Sequence, residues 1–262
     1  MTPHRTAPVI AVFGSDVERT VAPARAAGEA VARSGAVLLT GGGRRPAERS
    51  VKEQAMNGAR DAEAAGERAA RVGVLGAASR EVRIEVAGSQ VILEPGLSHA
   101  RNYVNAAMCD VAIAFHGGRG TDSEVVFALA LGRPVVLAGA EWDHAFPPGE
   151  DRAGRLALVA SARSLVPGDQ DTSIDDHMRR AYDELLAARL RVERLGLDEP
   201  PARIVACARR LVEEAGLQGD LPALADRPDV GLLAERYRDW LGGLELPAGC
   251  PDSRSASSPR VT

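Results

Sequence analysis

Cysteine is scarce in this 262-residue chain, paired histidines are missing, and there is no excess of basic charge. The three cysteines, Cys109, Cys207 and Cys250, are too scattered for a disulfide framework or a metal knuckle. The five histidines stand apart, without HxxxH or HxE spacing, so no metal site and no cofactor is expected. A net charge of −4 argues against a general nucleic-acid or membrane-surface binder, which would need a positive field. No apolar run approaches the length of a membrane span, and Met1 to Pro8 has no apolar signal core. These absences lead us to expect a cytoplasmic protein that binds neither nucleic acid nor membrane.

What is present is an ordinary globular composition, 45% hydrophobic and 26% charged, long enough for one large core and an extension. Short continuous apolar runs at Val9–Phe13, Ala36–Thr40, Val72–Gly76, Gln90–Leu93, Asp110–Phe115 and Pro134–Leu137 read as strands. Helical patterns lie between several of them, at 21–33, 51–65 and 100–108. The segment 82–86 alternates and reads as either a short strand or a loop. Buried strands separated by helices indicate an α/β fold, a Rossmann-like doubly wound parallel sheet. Ligands of such sheets sit beyond the carboxyl ends of the strands, where the strand order reverses.

After about residue 140 the character changes. Residues 141–151 form a polar, proline-bearing connection, and 156–166 is ambiguous between helix and strand. Helical stripes follow at 174–195, after Pro200-Pro201 and after Pro228, most simply as packing faces. The expected organisation is a Rossmann-like nucleotide-binding domain over 8–150, a helical extension over 151–246 and a disordered tail over 247–262.

The segment from Asp110 to Glu124 is the most committed to chemistry. A strand breaks at Gly117-Gly118-Arg119-Gly120-Thr121, and an apolar helix is expected from Val125. Such a turn aims backbone N–H groups and the positive end of a helix dipole at an anion. Its glycines suit close approach of a phosphate and unusual dihedrals. Thr121 reads as a helix cap or a hydroxyl donor. Glu124, expected in the first helical turn, is either a capping-box acid or a functional carboxylate. His116 reads as turn geometry or chemistry. Gly14-Ser15 and Gly41-Gly42-Gly43 also follow strands, so all three turns are expected on one sheet edge. The charges from Lys52 to Glu67 read as an exposed helix face.

Two blocks carry a family resemblance. His116-Gly117-Gly118-Arg119-Gly120-Thr121-Asp122-Ser123-Glu124 resembles the PGGxGTxxE signature of the Lonely Guy family of Rossmann-like phosphoribohydrolases. Gly96-Leu97-Ser98-His99-Ala100-Arg101-Asn102 is similar to the GLxxxRN segment of the related molybdenum-cofactor-carrier-like proteins. Arg101 precedes Asp110 by nine residues, the spacing of the family's essential arginine, and the GS and GGG turns also match. The resemblance spans roughly residues 8–140. Three departures stand out: His116 replaces the motif proline, Asn102 the lysine after the arginine, and Asn105 a methionine.

The resemblance implies a catalytic pair, Arg101 and Glu124. It implies a phosphate and substrate pocket lined by Gly14, Ser15, Gly41, Gly42, Gly43, Asn102, Gly117, Gly118, Gly120 and Thr121. The implied reaction is hydrolysis of the N-glycosidic bond of a nucleoside 5′-monophosphate, giving free base and ribose 5-phosphate. The alternative is a non-catalytic carrier of a nucleotide or of molybdenum cofactor. A small-molecule nucleotide is the expected partner, and a homodimer or higher homo-oligomer the expected assembly.

Overall fold

The apolar runs do become strands, because each is too short and too evenly hydrophobic to present the one-sided stripe of a surface helix. A computed structural model describes residues 7–15, 17–44, 50–76, 82–84, 88–94, 101–144 and 191–216. Seven strands form one parallel sheet: β1 (Val9–Phe13), β2 (Val37–Thr40), β4 (Ala70–Val74), β6 (Gln90–Leu93), β7 (Val111–Phe115), β8 (Val135–Ala138) and β9 (Val192–Leu195). Their order is β6-β4-β2-β1-β7-β8-β9. The chain moves outward from β1 to β6, then returns to β1's other side at β7, so the order reverses between β1 and β7. A small antiparallel pair, β3 (Gly43–Arg44) with β5 (Val82–Arg83), stands apart from the sheet.

Alternation along each strand divides the core in two. Ile10, Val12, Leu38, Ile113 and Val136 face a layer made by α1 (Glu18–Arg33), α2 (Val51–Ala64) and α5 (Pro201–Ala215). Val9, Ala11, Leu39, Ala112 and Leu137 face α3 (Arg101–Met108) and α4 (Arg119–Ala130). The protein therefore has the expected α/β, Rossmann-like architecture. α1 and α2 pack backbone to backbone, since a Cβ at Gly28 would run into the Ala55 carbonyl and one at Gly58 into that of Arg25.

Several expectations shift. α4 begins at Arg119, six residues before Val125, because the glycine-rich segment itself winds into the first turn. Residues 82–83 form a strand of only two residues. More consequential is the end of the stripe expected over 174–195. Val192–Leu195 is a strand parallel to β8, with Val135 opposite Val192 and Ala138 opposite Leu195. α5 buries Ile204, Val205, Ala208, Leu211 and Val212 in the same core as α1. Residues 192–215 thus complete the sheet and its helical layer, which corrects their assignment to a separate extension beginning at 151. The ambiguous segment 156–166, residues 174–190 of the next stripe, the helix after Pro228 and the tail lie outside the described residues. None of the described helices is long and apolar enough to cross a membrane.

Candidate functional site

The turns after β1 and β7 meet at the reversal of strand order. Gly118 N donates to Ser15 Oγ at 2.9 Å, joining them across the crevice. Gly117 must be glycine for packing: a Cβ there would lie 2.8 Å from both Ser15 N and Ser15 Oγ and would strike Thr121 Oγ1. Gly118 and Gly120 differ. A Cβ on either would meet nothing within 4 Å among the described residues, and neither takes a positive φ. The expected unusual dihedrals are therefore missing from this turn. Glycine at 118 and 120 answers no demand of the fold, and both positions face open space at the N-terminus of α4.

The second turn is different again. Gly42 has φ +67°, and its Cβ would sit 2.8 Å from Val74 N, so turn geometry and close approach to β4 explain it. Gly41 lies beneath Arg101, whose Nη1 donates to the Gly41 carbonyl and, at 2.9 Å, to that of Val74. Gly43 begins β3. Gly14 sits against α2, where a Cβ would lie 2.7 Å from Val51 Cγ1. All three turns occupy the carboxyl edge of the sheet, as their positions after parallel strands require.

α3 and α4 pack side by side and bring Arg101 and Glu124 onto neighbouring helices. Glu124 is the sixth residue of α4, so it stands in the second turn and not the first. The helix is entered from Gly118 without a side-chain cap, so neither the capping-box reading of Glu124 nor a cap by Thr121 holds. Glu124 is buried, and its Oε1 accepts from Asn105 Nδ2 at 2.8 Å. Asn105, standing where the family has methionine, is the residue that sequence reasoning missed. Only the packing of α3 on α4 reveals that it faces the carboxylate. Asn102, expected to contact substrate, directs its amide at α4: Nδ2 donates to Ser123 Oγ at 2.7 Å and to the Gly120 carbonyl at 3.3 Å. Ser123 Oγ donates in turn to the Gly120 carbonyl at 2.8 Å. Asn102 braces the glycine turn.

Two neighbours of the turn, His116 and Trp142, pack against each other. The His116 ring meets Trp142 edge to face, with centroids 5.7 Å apart. Trp142 is fully buried, and its Nε1 donates to the Ala114 carbonyl at 3.0 Å, although the sequence places it in a polar connection. At the opposite edge of the sheet, Asp110 accepts from Val9 N at 2.7 Å and pins the starts of β7 and β1. Burial pushes the neighbouring Cys109 thiol up to about 12, as suits an inert core residue.

A family model described as the SLOG cluster4 family matches residues 7–166. The chain belongs to the SLOG cluster4 family. The matched region contains both motif blocks, 96–102 and 116–124. Among solved structures, the molybdenum cofactor binding protein from the phototrophic bacterium Rippkaea orientalis is 23% identical, with a TM-score of 0.51; the match covers 80% of this chain and 99% of that one. The molybdenum cofactor carrier protein from Chlamydomonas reinhardtii is 25% identical over 79% of this chain and 99% of its own, with a TM-score of 0.47. The first of these shows a shared fold. No curated protein matches the chain in sequence. In this SLOG cluster4 protein, the matched region spans every turn and both helices of the candidate site.

Proposed function

We propose that this SLOG cluster4 protein binds the 5′-phosphate of a nucleoside monophosphate on the α4 turn and hydrolyses its N-glycosidic bond. The observation that carries the reading is the open backbone at Gly118 and Gly120, which the fold does not require and which fits an approaching phosphate. Glu124 supplies the carboxylate that stabilises positive charge developing on the ribose and orients water. Asn105 holds one of its oxygens. Arg101, anchored on the Gly41 and Val74 carbonyls, provides a fixed planar cation at the rim of the same edge. The anchored phosphate contributes binding energy that positions the scissile bond.

The test is release of free base from a panel of purine and pyrimidine monophosphates. Glu124→Gln and Arg101→Ala should each lose at least ~10²-fold in turnover, the scale of a lost acid–base or electrostatic group. Unchanged turnover in both variants removes the mechanism. A second reading, binding without turnover, is favoured by the burial of Glu124 and by the use of Arg101 Nη1 on two backbone carbonyls. Recovery of every nucleotide intact, with saturable binding of a nucleotide or of molybdenum cofactor, would establish it. A cytoplasmic, homo-oligomeric protein completes the proposal; light scattering on the purified chain measures the assembly.

A further inference from the structure

The charged stretch that begins at Lys52 was expected to face solvent, yet Lys52 is only 9% exposed. It lies in the first turn of α2, where a cation opposes the helix dipole. Its stem and the Arg101 guanidinium flank one glycine: a Cβ on Gly41 would lie 2.8 Å from Lys52 Cδ and 2.7 Å from Arg101 Nη1. Two cationic side chains and the positive end of a helix of 14 residues therefore share one small volume.

An independent observation points to what belongs there. Ser50, the N-cap of α2, is fully buried but makes no side-chain capping bond, and its Oγ has no hydrogen-bond partner among the described residues. A buried hydroxyl at a helix mouth is costly to leave unpaired, and it can donate to an anion. The α2 N-terminus also adjoins the β1 turn through Val51 and Gly14, and the β1 turn is bonded to the α4 turn through Ser15. α2 and α4 lie on opposite faces of the sheet, so their N-termini flank the reversal point from both sides.

We propose that the α2 N-terminus is a second anion site, formed by Ser50, Lys52 and Arg101, and that the cleft takes a small molecule with two anionic groups. The inference rests on the proposed function only for the phosphate on the α4 turn. The second group, a phosphate or a comparable oxyanion, accepts from Ser50 Oγ and is neutralised by Lys52 and Arg101. A nucleoside bisphosphate meets both requirements where a monophosphate meets one.

The experiment is titration of the full-length protein with inorganic phosphate, followed by amide NMR. Two groups of resonances should move, those of 117–122 and those of 50–53. Lys52→Met keeps the aliphatic stem, and it should abolish the second response; Ser50→Ala should weaken it. Melting curves check that each variant folds, and Lys52→Gln replaces the methionine variant if that one does not. Adenosine 3′,5′-bisphosphate should bind about 10- to 100-fold more tightly than adenosine 5′-monophosphate, as charge-assisted hydrogen bonds imply. That ratio should fall toward one in Lys52→Met. A response confined to 117–122, or one at 50–53 that survives both Lys52 variants, overturns the second site and leaves the proposed function standing. A response at 50–53 alone keeps the anion site and overturns the phosphate cradle on α4. No response at either group overturns both.

Discussion

Glycines 117, 118 and 120 share one turn but answer to different demands. The first is required by the fold, because Ser15 and Thr121 fill the space of its side chain. The other two have ordinary dihedrals and meet none of the described residues, so a methyl group there should not disturb the protein. Gly120 lies within α4, where alanine is favoured over glycine by roughly 0.5–1 kcal/mol. Gly120→Ala is therefore expected to raise the melting temperature slightly while weakening phosphate binding at least tenfold. Calorimetry with a monophosphate ligand, paired with a melting curve, reads both effects. Loss of stability without loss of binding would show that these glycines serve the fold after all. The motif residues themselves were legible in the sequence. The Asn105–Glu124 pairing was not, because the contact joins residues 19 apart and exists only once α3 lies on α4.

At the scale of elements, legibility followed burial. β1, β2, β7 and β8 are buried throughout and appear in the sequence as unbroken apolar runs. β9 is Val-Glu-Arg-Leu, four residues at the edge of the sheet and mostly half-buried. It is too short to display alternation, and its Val and Leu, three apart, also fit a helical stripe. A different edge depends on a polar clasp. Glu63, near the end of α2, accepts from the buried Arg71 of β4 at 2.8 Å and from Ser89 Oγ at 2.6 Å, just before β6. Burial pushes the Arg71 guanidinium below its ordinary value, and the Glu63 carboxylate opposes that shift. Gly88, at φ +102°, leaves room for the clasp, since a Cβ there would strike Glu63 Oε2. Glu63→Ala should cost about 3 kcal/mol, because Arg71 would be left buried without its carboxylate. Asp61→Ala, which removes exposed contacts to Arg25 and Arg60, should cost under about 1 kcal/mol. Urea unfolding of the two variants measures the difference. Equal losses would mean that the clasp does not hold the β6 edge.

For the molecule as a whole, the decisive finding is that the sheet closes late in the sequence. β8 has β9 as its outer neighbour, and α5 covers the sheet face beside α1. A fragment ending at residue 150 would contain every turn of the candidate site and most of the region matched by the family model. It would nevertheless expose the surface now covered by Ile204, Val205, Leu211 and Val212. Burial of aliphatic side chains is worth ~1.5–3 kcal/mol each, so these four represent about 6–12 kcal/mol, similar to the whole margin of a typical domain. The fragment 1–150 is therefore expected to show no cooperative thermal transition, whereas 1–216 should melt cooperatively near the temperature of the full chain. Circular dichroism melts of the two fragments decide the matter. A cooperative transition in the shorter one would mean that β9 and α5 decorate a sheet already able to stand alone. It would also mean that the turns of the candidate site are held by the six strands of the sheet that precede β9. Failure of the shorter fragment, with recovery in the longer, would make residues 192–215 a condition for any binding at the reversal point.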